Sequence, residues 1–311
     1  MLLDADQVID RRRLKRSLVL WRVVGVVAIV AVIVAVAGRG GVFFSRDYVA
    51  RLEVGGFILD DPWRERALAD LADDPRARAL LVRIHSPGGT MVGAETLFRA
   101  LRRVAEDKPV VAIMGELSTS AAYFVALGAD HIIGRAGTLT GSIGVILQAA
   151  DVTGLLDKLG VKPEIVKSGR LKAQPNPFEP FSPDAREVMR TVILDLHELF
   201  VQTVAERRSL ALEQAASLAD GRVFSGRQAH ARGLIDALGG EAEARAWLRE
   251  VHAIPVTLPT EDLTIDDDIR FLDGIINGIF NGIVEDVFGK TLFSERLMLD
   301  GLVSLWHPDI L

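Results

Sequence analysis

The sequence contains no cysteine, which excludes disulfide bonds and metal sites built on thiolates. Its six histidines are scattered and show no spacing of the His-Glu-x-x-His type, so a metalloprotease is not indicated. No internal repeat is visible, and the body is therefore interpreted as a single copy of one domain. With 311 residues and 49% hydrophobic side chains, the chain can bury a substantial core.

Charge is unevenly distributed along the chain. The first 40 residues carry seven basic and three acidic side chains, a net +4, which leaves −10 for the rest of a chain whose total is −6. An acidic body argues against a nucleic-acid partner. The basic residues instead precede a nearly continuous apolar segment at 17–37, interrupted only by Arg22 near its start. Because ~20 helical residues span the ~30 Å bilayer core, 17–37 is predicted to be a transmembrane anchor.

The basic cluster sets the predicted topology. Positive residues favour the cytoplasmic side, so 1–16 is predicted to be cytoplasmic, and the body beyond a connector at 38–46 to be exported. The alternative is a cleaved signal peptide, since Ala35-Val36-Ala37 matches the small-residue pattern before a cleavage site. Both interpretations export the body.

Residues 47–253 alternate predicted strands and helices, which indicates an α/β domain. A strand pair is predicted at 48–59 and one long helix at 183–208. Apolar residues then recur at helical spacing between 271 and 288, so 254–311 is predicted to be a helical extension. It would pack on its own domain, on a sister subunit or on the membrane surface.

Ser120 lies in a pattern typical of a nucleophile. Residues 110–114 predict a strand, 115–120 a tight turn and 121–127 a helix that begins next to Ser120. At a helix start, unpaired N–H groups and the positive end of the helix dipole stabilise a developing alkoxide. The pattern predicts Ser120 as the nucleophile, with Ser118 as the competing hydroxyl.

Lys172 is the candidate base. It lies on a loop between a predicted strand at 163–166 and two prolines, Pro175 and Pro177. A neutral amine can take a proton from serine, so no histidine is needed. Lysine in water has a pKa near ~10.4 and is charged at pH 7, so the site has to bury Lys172 among apolar groups.

A third element supplies hydrogen-bond donors. A strand predicted at 80–84 runs into the segment 85–89, His-Ser-Pro-Gly-Gly, whose glycines let the backbone turn its N–H groups outward. The N–H of Gly88 or Gly89, with that of Ala121, would form an oxyanion hole, worth ~3 to 4 kcal/mol per donor. This chemistry needs no cofactor.

In this order the motifs resemble those of the signal peptide peptidase A family of membrane-anchored serine/lysine proteases. The resemblance extends from about residue 48 to 240 and rests on segments 86–89, 120–123, 139–145, 168–172, 221–226 and 233–236. The family usually has Ser-Gly-Gly-Tyr at the nucleophile, whereas Ser120-Ala121-Ala122-Tyr123 keeps only the two ends. Replacing the two glycines by alanines changes the expected flexibility of the turn.

The resemblance implies an α/β fold of the Clp protease/crotonase type with a repeated β-β-α core. It implies a serine endopeptidase with a dyad of Ser120 and Lys172, and with Ser142 and Tyr123 in the pocket or supporting the base. The implied substrates are released signal peptides and other short apolar peptides, met at the periplasmic side of the bacterial inner membrane. A single-copy member is expected to form a homo-oligomer in which neighbouring protomers share each site.

Three alternatives remain open at the level of sequence. A Clp-type serine/histidine/aspartate peptidase would use His85 or His131 as base, although His85 belongs to the predicted oxyanion turn. A crotonase-like acyl-CoA enzyme would use the same turn, but an exported domain has no CoA supply. A catalytically silent membrane scaffold would keep the fold without the chemistry.

Overall fold

The structure, a computed structural model, describes residues 21–27, 46–263, 265 and 302–305, the last four as backbone only. The chain divides into two units, 1–47 and 48–311. In the first unit, residues 21–27 are helical, and the rest of the predicted anchor lies outside the described residues. Within the described part of the chain, no helix has the length and apolar character needed to cross a membrane.

The second unit alternates strands and helices, so the predicted α/β class is confirmed. Its strands are β1 (Tyr48–Ile58), β2 (Ala77–Thr90), β3 (Val110–Thr119), β4 (His131–Gly134), β5 (Leu139–Gly141), β6 (Ile146–Leu147), β7 (Val223–Ser225), β8 (Ala237–Leu238), β9 (Thr260–Asp262) and β10 (Leu302–Leu305). Its helices are α1 (Pro62–Asp73), α2 (Met91–Val104), α3 (Ala121–Ala126), α4 (Thr153–Leu159), α5 (Pro183–Arg208), α6 (Leu212–Ser217), α7 (Gly226–Ala231) and α8 (Glu241–His252).

The described strands form one mixed sheet. Its main path runs β6-β10-β2-β3-β4-β8, while β1 pairs with β2 and β9, and β5 pairs with β3 and β7. β2 is parallel to β1 and β3, whereas β10 is antiparallel to both β2 and β6. Because β2 and β3 are parallel neighbours, their carboxyl ends lie at the same edge of the sheet. This topology brings the segment 86–89 together with Ser120.

Helices cover both faces of the sheet, and β2 shows how the sequence divides between them. Leu80, Val82 and Ile84 are buried on the face packed by α1, α2, α3 and α5. The alternate residues Ala79 and Leu81 are buried on the face packed by α8. A strand with apolar residues at successive positions is typical of a parallel strand covered on both sides.

Aromatic contacts fix α3 between its neighbouring helices. Phe124 of α3 meets Phe98 of α2 edge to face, with ring centroids 5.3 Å apart, and Phe200 of α5 at 5.1 Å. Phe124 is 1% exposed. Such pairs add ~0.5 to 1.5 kcal/mol each beyond the burial of their surface. The short helix that follows Ser120 therefore has a rigid position.

The structure corrects three predicted elements. Residues 48–59 contribute one strand and not the predicted pair. Gly56, with a φ of 65°, lies at a shift in the register between β1 and β2, and β1 continues past it without turning back. Residues 163–166 have no regular structure and are exposed, since the described residues offer them no strand to pair with. Within the predicted helical extension 254–311, the described segments at 260–262 and 302–305 are strands, because they pair with β1, β2 and β6. The residues predicted to be helical between 271 and 288 lie outside the described part.

Candidate active site

Ser120 lies between β3 and α3 and is the N-cap of α3, so the structure places it at the helix start as predicted. Its φ of 59° and ψ of −123° lie outside the regions that L-residues favour, and such a backbone costs ~1 to 3 kcal/mol. Its N–H donates to the carbonyl of Gly141 at 2.8 Å, which fixes the turn. A strained strand-to-helix turn of this kind also presents the serine in nucleophile-elbow hydrolases.

Buried hydroxyl groups tie the end of β3 to β2. Ser118 Oγ donates to the carbonyl of Ile84 at 2.8 Å, and Thr119 Oγ1 donates to that of Pro87 at 3.0 Å. Thr140 Oγ1 donates to the carbonyl of Ser118 at 2.7 Å. Ser118 is fully buried and its hydroxyl is engaged with β2, so it clamps the turn and is not suited to act as the nucleophile.

The predicted oxyanion turn is the distorted end of β2. The strand continues to Thr90, with Gly88 at a φ of 130°. The Gly88 N–H donates to Ser86 Oγ at 3.1 Å and is therefore engaged within its own segment. Gly89 packs so closely on β1 that an added Cβ would lie 2.0 Å from the carbonyl oxygen of Ile58. Because the Gly88 N–H is engaged, Gly89 is the remaining candidate of the two for an oxyanion donor.

Ala121, the second residue predicted to supply an oxyanion donor, directly follows Ser120. The first backbone donors of α3 are Tyr123 and Phe124, which bond the Ser120 carbonyl at 2.9 and 3.0 Å. The N–H groups of Ala121 and Ala122 precede these bonds and have no acceptor inside the helix. The predicted role of Ala121 as an oxyanion donor fits this position.

Ser142 follows Gly141, whose carbonyl accepts the backbone N–H of Ser120. Gly141 and Ser142 have φ values of 82° and 49° and turn the chain away from β5. A Cβ on Gly141 would lie 2.6 Å from the Phe224 ring, and the Ser142 N–H donates to the Arg222 carbonyl at 2.8 Å. Ser142 is 7% exposed, and its position in a pocket wall or beside the base stays a prediction.

The structure corrects the role predicted for Tyr123. Its side chain is fully buried, and its hydroxyl donates to the carbonyl of Leu234 at 2.8 Å. Burial raises the pKa of Tyr123, so the phenol remains a neutral donor. Tyr123 therefore anchors α3 to the segment before β8 and does not line a pocket.

Lys172 lies on an exposed turn. No residue from 160 to 182 is buried, and Val166 is 100% exposed. The Ser182 hydroxyl donates to the Gln174 side chain at 2.5 Å, so the segment is held by polar contacts rather than by an apolar core. The burial that a lysine base requires is thus not supplied around Lys172 by the single chain.

His131 is not placed to serve as a base for Ser120 of its own chain. It pairs with Val111 near the start of β3, eight residues before Thr119. At ~3.3 Å per residue the two positions are ~26 Å apart along the strand. The His131 ring stacks on Trp247 with centroids 4.6 Å apart, and burial lowers its pKa.

His85 faces away from the nucleophile turn. Its neighbours Ile84 and Ser86 are buried, whereas His85 is exposed. Successive side chains of a strand point to opposite faces, so His85 and Ser86 lie on different sides of the sheet. His85 lines a cavity of about 170 Å³ together with Arg83 and Arg135. Neither histidine supports the Clp-type triad in this chain.

Arg207 supports α3, the helix that follows Ser120, and sequence analysis missed it. Its Nε donates to the carbonyl of Leu127 at 2.8 Å, and a terminal nitrogen donates to that of Ala129 at 3.0 Å. These bonds supply donors to carbonyl groups at and just beyond the C-terminus of α3, where a cation is favoured. Because Arg207 and Leu127 are 80 positions apart, no local motif could have indicated the contact.

Arg208 forms a second buried anchor. It donates to the carbonyl of Gly233 at 2.7 Å and to both oxygens of Asp236 at 2.5 and 3.0 Å. Burial raises the pKa of Asp236, but the bonds from Arg208 outweigh burial and hold this pKa below its ordinary value. The pair joins the end of α5 to the segment that receives Tyr123.

Much of the chain is similar to known proteins. Residues 102–254 match the model of peptidase family S49. The putative protease slr0021 of Synechocystis sp. is 40% identical over 205 residues, which cover 65% of this chain and 74% of the relative. The chloroplastic serine protease SPPA of Arabidopsis thaliana is 29% identical over 84% of this chain and 41% of its own length. The putative signal peptide peptidase SppA of Enterococcus faecium is 31% identical over a match that covers 59% of this chain and 54% of the relative.

A serine in a strained strand-to-helix turn, together with relatives that are named as proteases, defines a serine-type peptidase. The chain belongs to peptidase family S49, as a protease of the SppA type. It spans 74% of the Synechocystis relative but only 41 and 54% of the other two. Among solved structures, a mutant of the 1510-N membrane-bound stomatin-specific protease is 14% identical over 71% of this chain and 99% of its own, with a TM-score of 0.46.

Proposed function

We propose that the protein is a membrane-anchored endopeptidase with a Ser120/Lys172 dyad and a fold related to Clp protease and crotonase. Its substrates would be released signal peptides and other short apolar peptides at the periplasmic side of the bacterial inner membrane. The observation that carries the proposal is the strained Ser120 at the start of α3, beside the N–H of Ala121. One relative is named as a putative signal peptide peptidase, which supports the substrate class.

The proposed reaction proceeds through an acyl-enzyme. Ser120 Oγ attacks the scissile carbonyl while the Lys172 amine takes the hydroxyl proton. The N–H groups of Ala121 and Gly89 stabilise the oxyanion of the tetrahedral intermediate. Its collapse breaks the C–N bond, and Lys172 returns the proton to the leaving amine. Water then hydrolyses the ester in a second cycle with the same base.

We further propose that the lysine comes from a neighbouring protomer of a homo-oligomer. The segment 160–182 exposes large apolar side chains, namely Val161, Ile165, Val166, Leu171 and Phe178. Several large apolar side chains exposed within one short segment make it a candidate for a protein interface. A second copy packed on it would remove water from Lys172, as a neutral base requires.

A serine-reactive fluorophosphonate probe tests the nucleophile. Wild-type protein should be labelled at Ser120, and Ser120→Ala should not be labelled. Ser217→Ala, which changes an exposed serine of α6, is the matched control and should be labelled like the wild type. Label found by peptide mapping at another serine, with Ser120→Ala still labelled and folded, would remove Ser120 from the mechanism.

A further inference from the structure

The two proposed oxyanion donors belong to different segments of the chain. Gly89 lies at the end of β2, whereas Ala121 follows Ser120 beyond the end of β3. Donors of this kind act when they lie ~2.7 to 3.1 Å from the developing oxyanion, and a misplacement of ~1 Å can lower a rate ~10²-fold. The proposed site therefore needs contacts that fix the end of β2 relative to the end of β3.

The backbone ladder between β2 and β3 is irregular just before the nucleophile. Between two successive backbone pairs, β2 advances two residues, from Ile84 to Ser86, while β3 advances four, from Met114 to Ser118. Extra residues in one strand disrupt the ladder locally. The pairing of β3 with β2 ends at Ser118, and the next residue, Thr119, pairs with β5 instead. Side chains must therefore continue the link between the two strands.

Thr119 provides such a link at the end of the ladder. Its side chain is buried, and its Oγ1 donates to the carbonyl of Pro87 at 3.0 Å. This carbonyl and the N–H of Gly88 belong to one planar trans peptide. The N–H donates to the buried Ser86 Oγ at 3.1 Å. Two buried hydroxyl groups, one from each strand, therefore hold the same peptide plane at its two ends.

The Ser86 hydroxyl also holds the next peptide plane. It donates to the carbonyl of Gly88 at 3.1 Å, and this carbonyl shares a trans peptide with the N–H of Gly89. Because the C=O and N–H of a trans peptide point in opposite directions, the Gly89 N–H is directed away from Ser86. The φ of 130° at Gly88, which glycine adopts readily, sets the angle between the two planes. The direction of the candidate donor thus depends on the plane that Thr119 and Ser86 hold.

We propose that Thr119 is a positioning residue for the oxyanion hole. It acts through Pro87 and not on the substrate: its hydroxyl fixes the end of β2 relative to Ser120, the next residue in the chain, and so aims the Gly89 N–H at the oxyanion. This inference rests on the proposed peptidase function and adds a residue outside the proposed dyad and donors. Loss of the bond weakens stabilisation of the transition state and leaves substrate binding unchanged, so kcat falls and KM does not rise.

Two substitutions at Thr119 provide the first test. Thr119→Val removes the donor but keeps a β-branched side chain, whereas Thr119→Ser keeps the donor. For an apolar peptide substrate, Thr119→Val should lower kcat about 10- to 100-fold with KM near wild type, since removal of a whole oxyanion donor costs ~10² to 10³. Thr119→Ser should retain most of the wild-type kcat. Thr203→Val, which removes a buried hydroxyl bonded to the Leu199 carbonyl in α5, is the matched control and should leave kcat unchanged.

A peptide aldehyde provides a second test, because it reports the oxyanion directly. Ser120 Oγ adds to the aldehyde carbon while Lys172 takes the hydroxyl proton, so the carbonyl oxygen becomes an oxyanion. The inhibition constant of the aldehyde should rise in Thr119→Val by the factor by which kcat/KM falls, while that of the matching peptide alcohol should stay constant. Thr119→Ala, which also lacks the donor, takes the place of Thr119→Val if the latter does not fold. Equal kcat in wild type and the folded variant without the donor, or an equal loss in Thr119→Ser, would overturn the inference.

Amide hydrogen exchange in an inactive variant separates this inference from the proposed function. Adding Thr119→Val to Ser120→Ala should speed exchange in the segment 86–89, measured by mass spectrometry, because one end of its peptide plane is released. Adding Thr203→Val should not. If the wild type proves to have no peptidase activity but this difference persists, the hold of Thr119 on the turn stands and the proposed function fails. If the wild type is active and Thr119→Val changes neither exchange nor kcat, the positioning role fails alone.

Discussion

Ser120 and Lys172 lie in regions of opposite character. Ser120 is 1% exposed, its backbone N–H is bonded to the carbonyl of Gly141, and the hydroxyl of Ser118 clamps the end of β3 to β2. The lysine segment at 160–182 has no buried residue. The single chain packs the surroundings of Ser120, whereas the segment around Lys172 has polar contacts but no apolar core.

The difference indicates what each half of the proposed site would require. A strained serine backbone persists only where the surrounding structure determines it, and the packed ends of β2 and β3 provide that structure. An exposed lysine loop is free of such constraint, and its apolar side chains gain ~25 cal/mol per Å² when another surface covers them. We therefore expect the nucleophile to be preassembled in each chain and the base to depend on assembly.

The largest expected effect comes from separating the two halves. Ser120→Ala and Lys172→Ala should each lower kcat by at least ~10³-fold, because nucleophile and base act as a unit. The two inactive variants are then co-expressed so that they mix at random in a head-to-tail ring. Half of the protomers have an intact Ser120, and half of their neighbours have an intact Lys172. Roughly a quarter of the shared sites should therefore be complete, and roughly a quarter of wild-type activity should return.

The mixing experiment needs proof that both variants occupy the same oligomer, for example by two affinity tags. The control mixes Ser120→Ala with a tagged copy of itself, which should remain inactive. Verified mixed oligomers without recovered hydrolysis would show that each protomer holds its own complete site, or that one half does not take part.

A charge in the exposed segment should break assembly without unfolding the chain. Val166→Asp should leave the thermal stability of the monomer near wild type, because Val166 is 100% exposed. An unpaired carboxylate buried at an interface costs several kcal/mol, roughly 3 to 5, so oligomer and activity should both be lost. Val251→Asp, on exposed α8 surface, is the matched control and should retain both, as measured by light scattering and hydrolysis.

The same contrast explains how far the sequence could predict the molecule. The α/β class and the helix at 183–208 follow from local periodicity, and both are confirmed. The position of Ser120 between strand and helix also follows from local pattern. The positive φ of Ser120 was not predicted, because nothing local requires it: it depends on Gly141, which joins the turn through a backbone bond.

Long-range contacts account for most of what sequence reasoning missed. Tyr123 was predicted near the pocket from its place in the motif, but its hydroxyl reaches Leu234, 111 positions away. The strand β10 was predicted as part of a helical extension, and it became a strand because the edges of β2 and β6 could pair with it. Tertiary pairing of this kind overrides local preference.

The buried ion pair should make the packed region sensitive to acid. Asp236→Asn should lower the free energy of unfolding by roughly 2 to 4 kcal/mol at pH 7, because Arg208 keeps a buried charge without its partner. The folded pKa of Asp236 is held below its ordinary value, so its contribution is present above pH ~4 and is lost as the pH falls through the folded pKa.

Urea titrations of wild type and Asp236→Asn at several pH values measure this effect. The stability difference between them should be widest at neutral pH. It should narrow below pH ~4, where the carboxylate of the unfolded chain becomes protonated, and further as the pH falls through the lowered pKa of the folded state. His131 lies beside Asp236, and burial lowers its pKa. A lowered histidine pKa also makes the fold less stable as the pH falls. A difference that stays constant down to pH 3 would show that Asp236 does not stabilise the fold through its charge.

The hydroxyl clamp should have a smaller effect. Ser118→Ala removes the donor to the Ile84 carbonyl in a fully buried position, which costs ~1 to 3 kcal/mol of stability. Ser217→Ala, at an exposed serine, should change stability by less than ~0.5 kcal/mol. Equal thermal midpoints for these two variants would mean that the clamp does not hold β3 to β2.

The smallest expected effect concerns the strain at the nucleophile itself. A φ of 59° is strained for serine or alanine but not for glycine. Ser120→Gly should therefore be more stable than Ser120→Ala by ~1 kcal/mol. Glycine also increases the freedom of the unfolded chain, which offsets part of the gain. Both variants lack the hydroxyl, so their difference reports the backbone alone and is measured by urea unfolding. Ser120→Gly no more stable than Ser120→Ala would mean that the strain in the turn is no larger than this offset, and that its rigidity comes from the contacts of α3 instead.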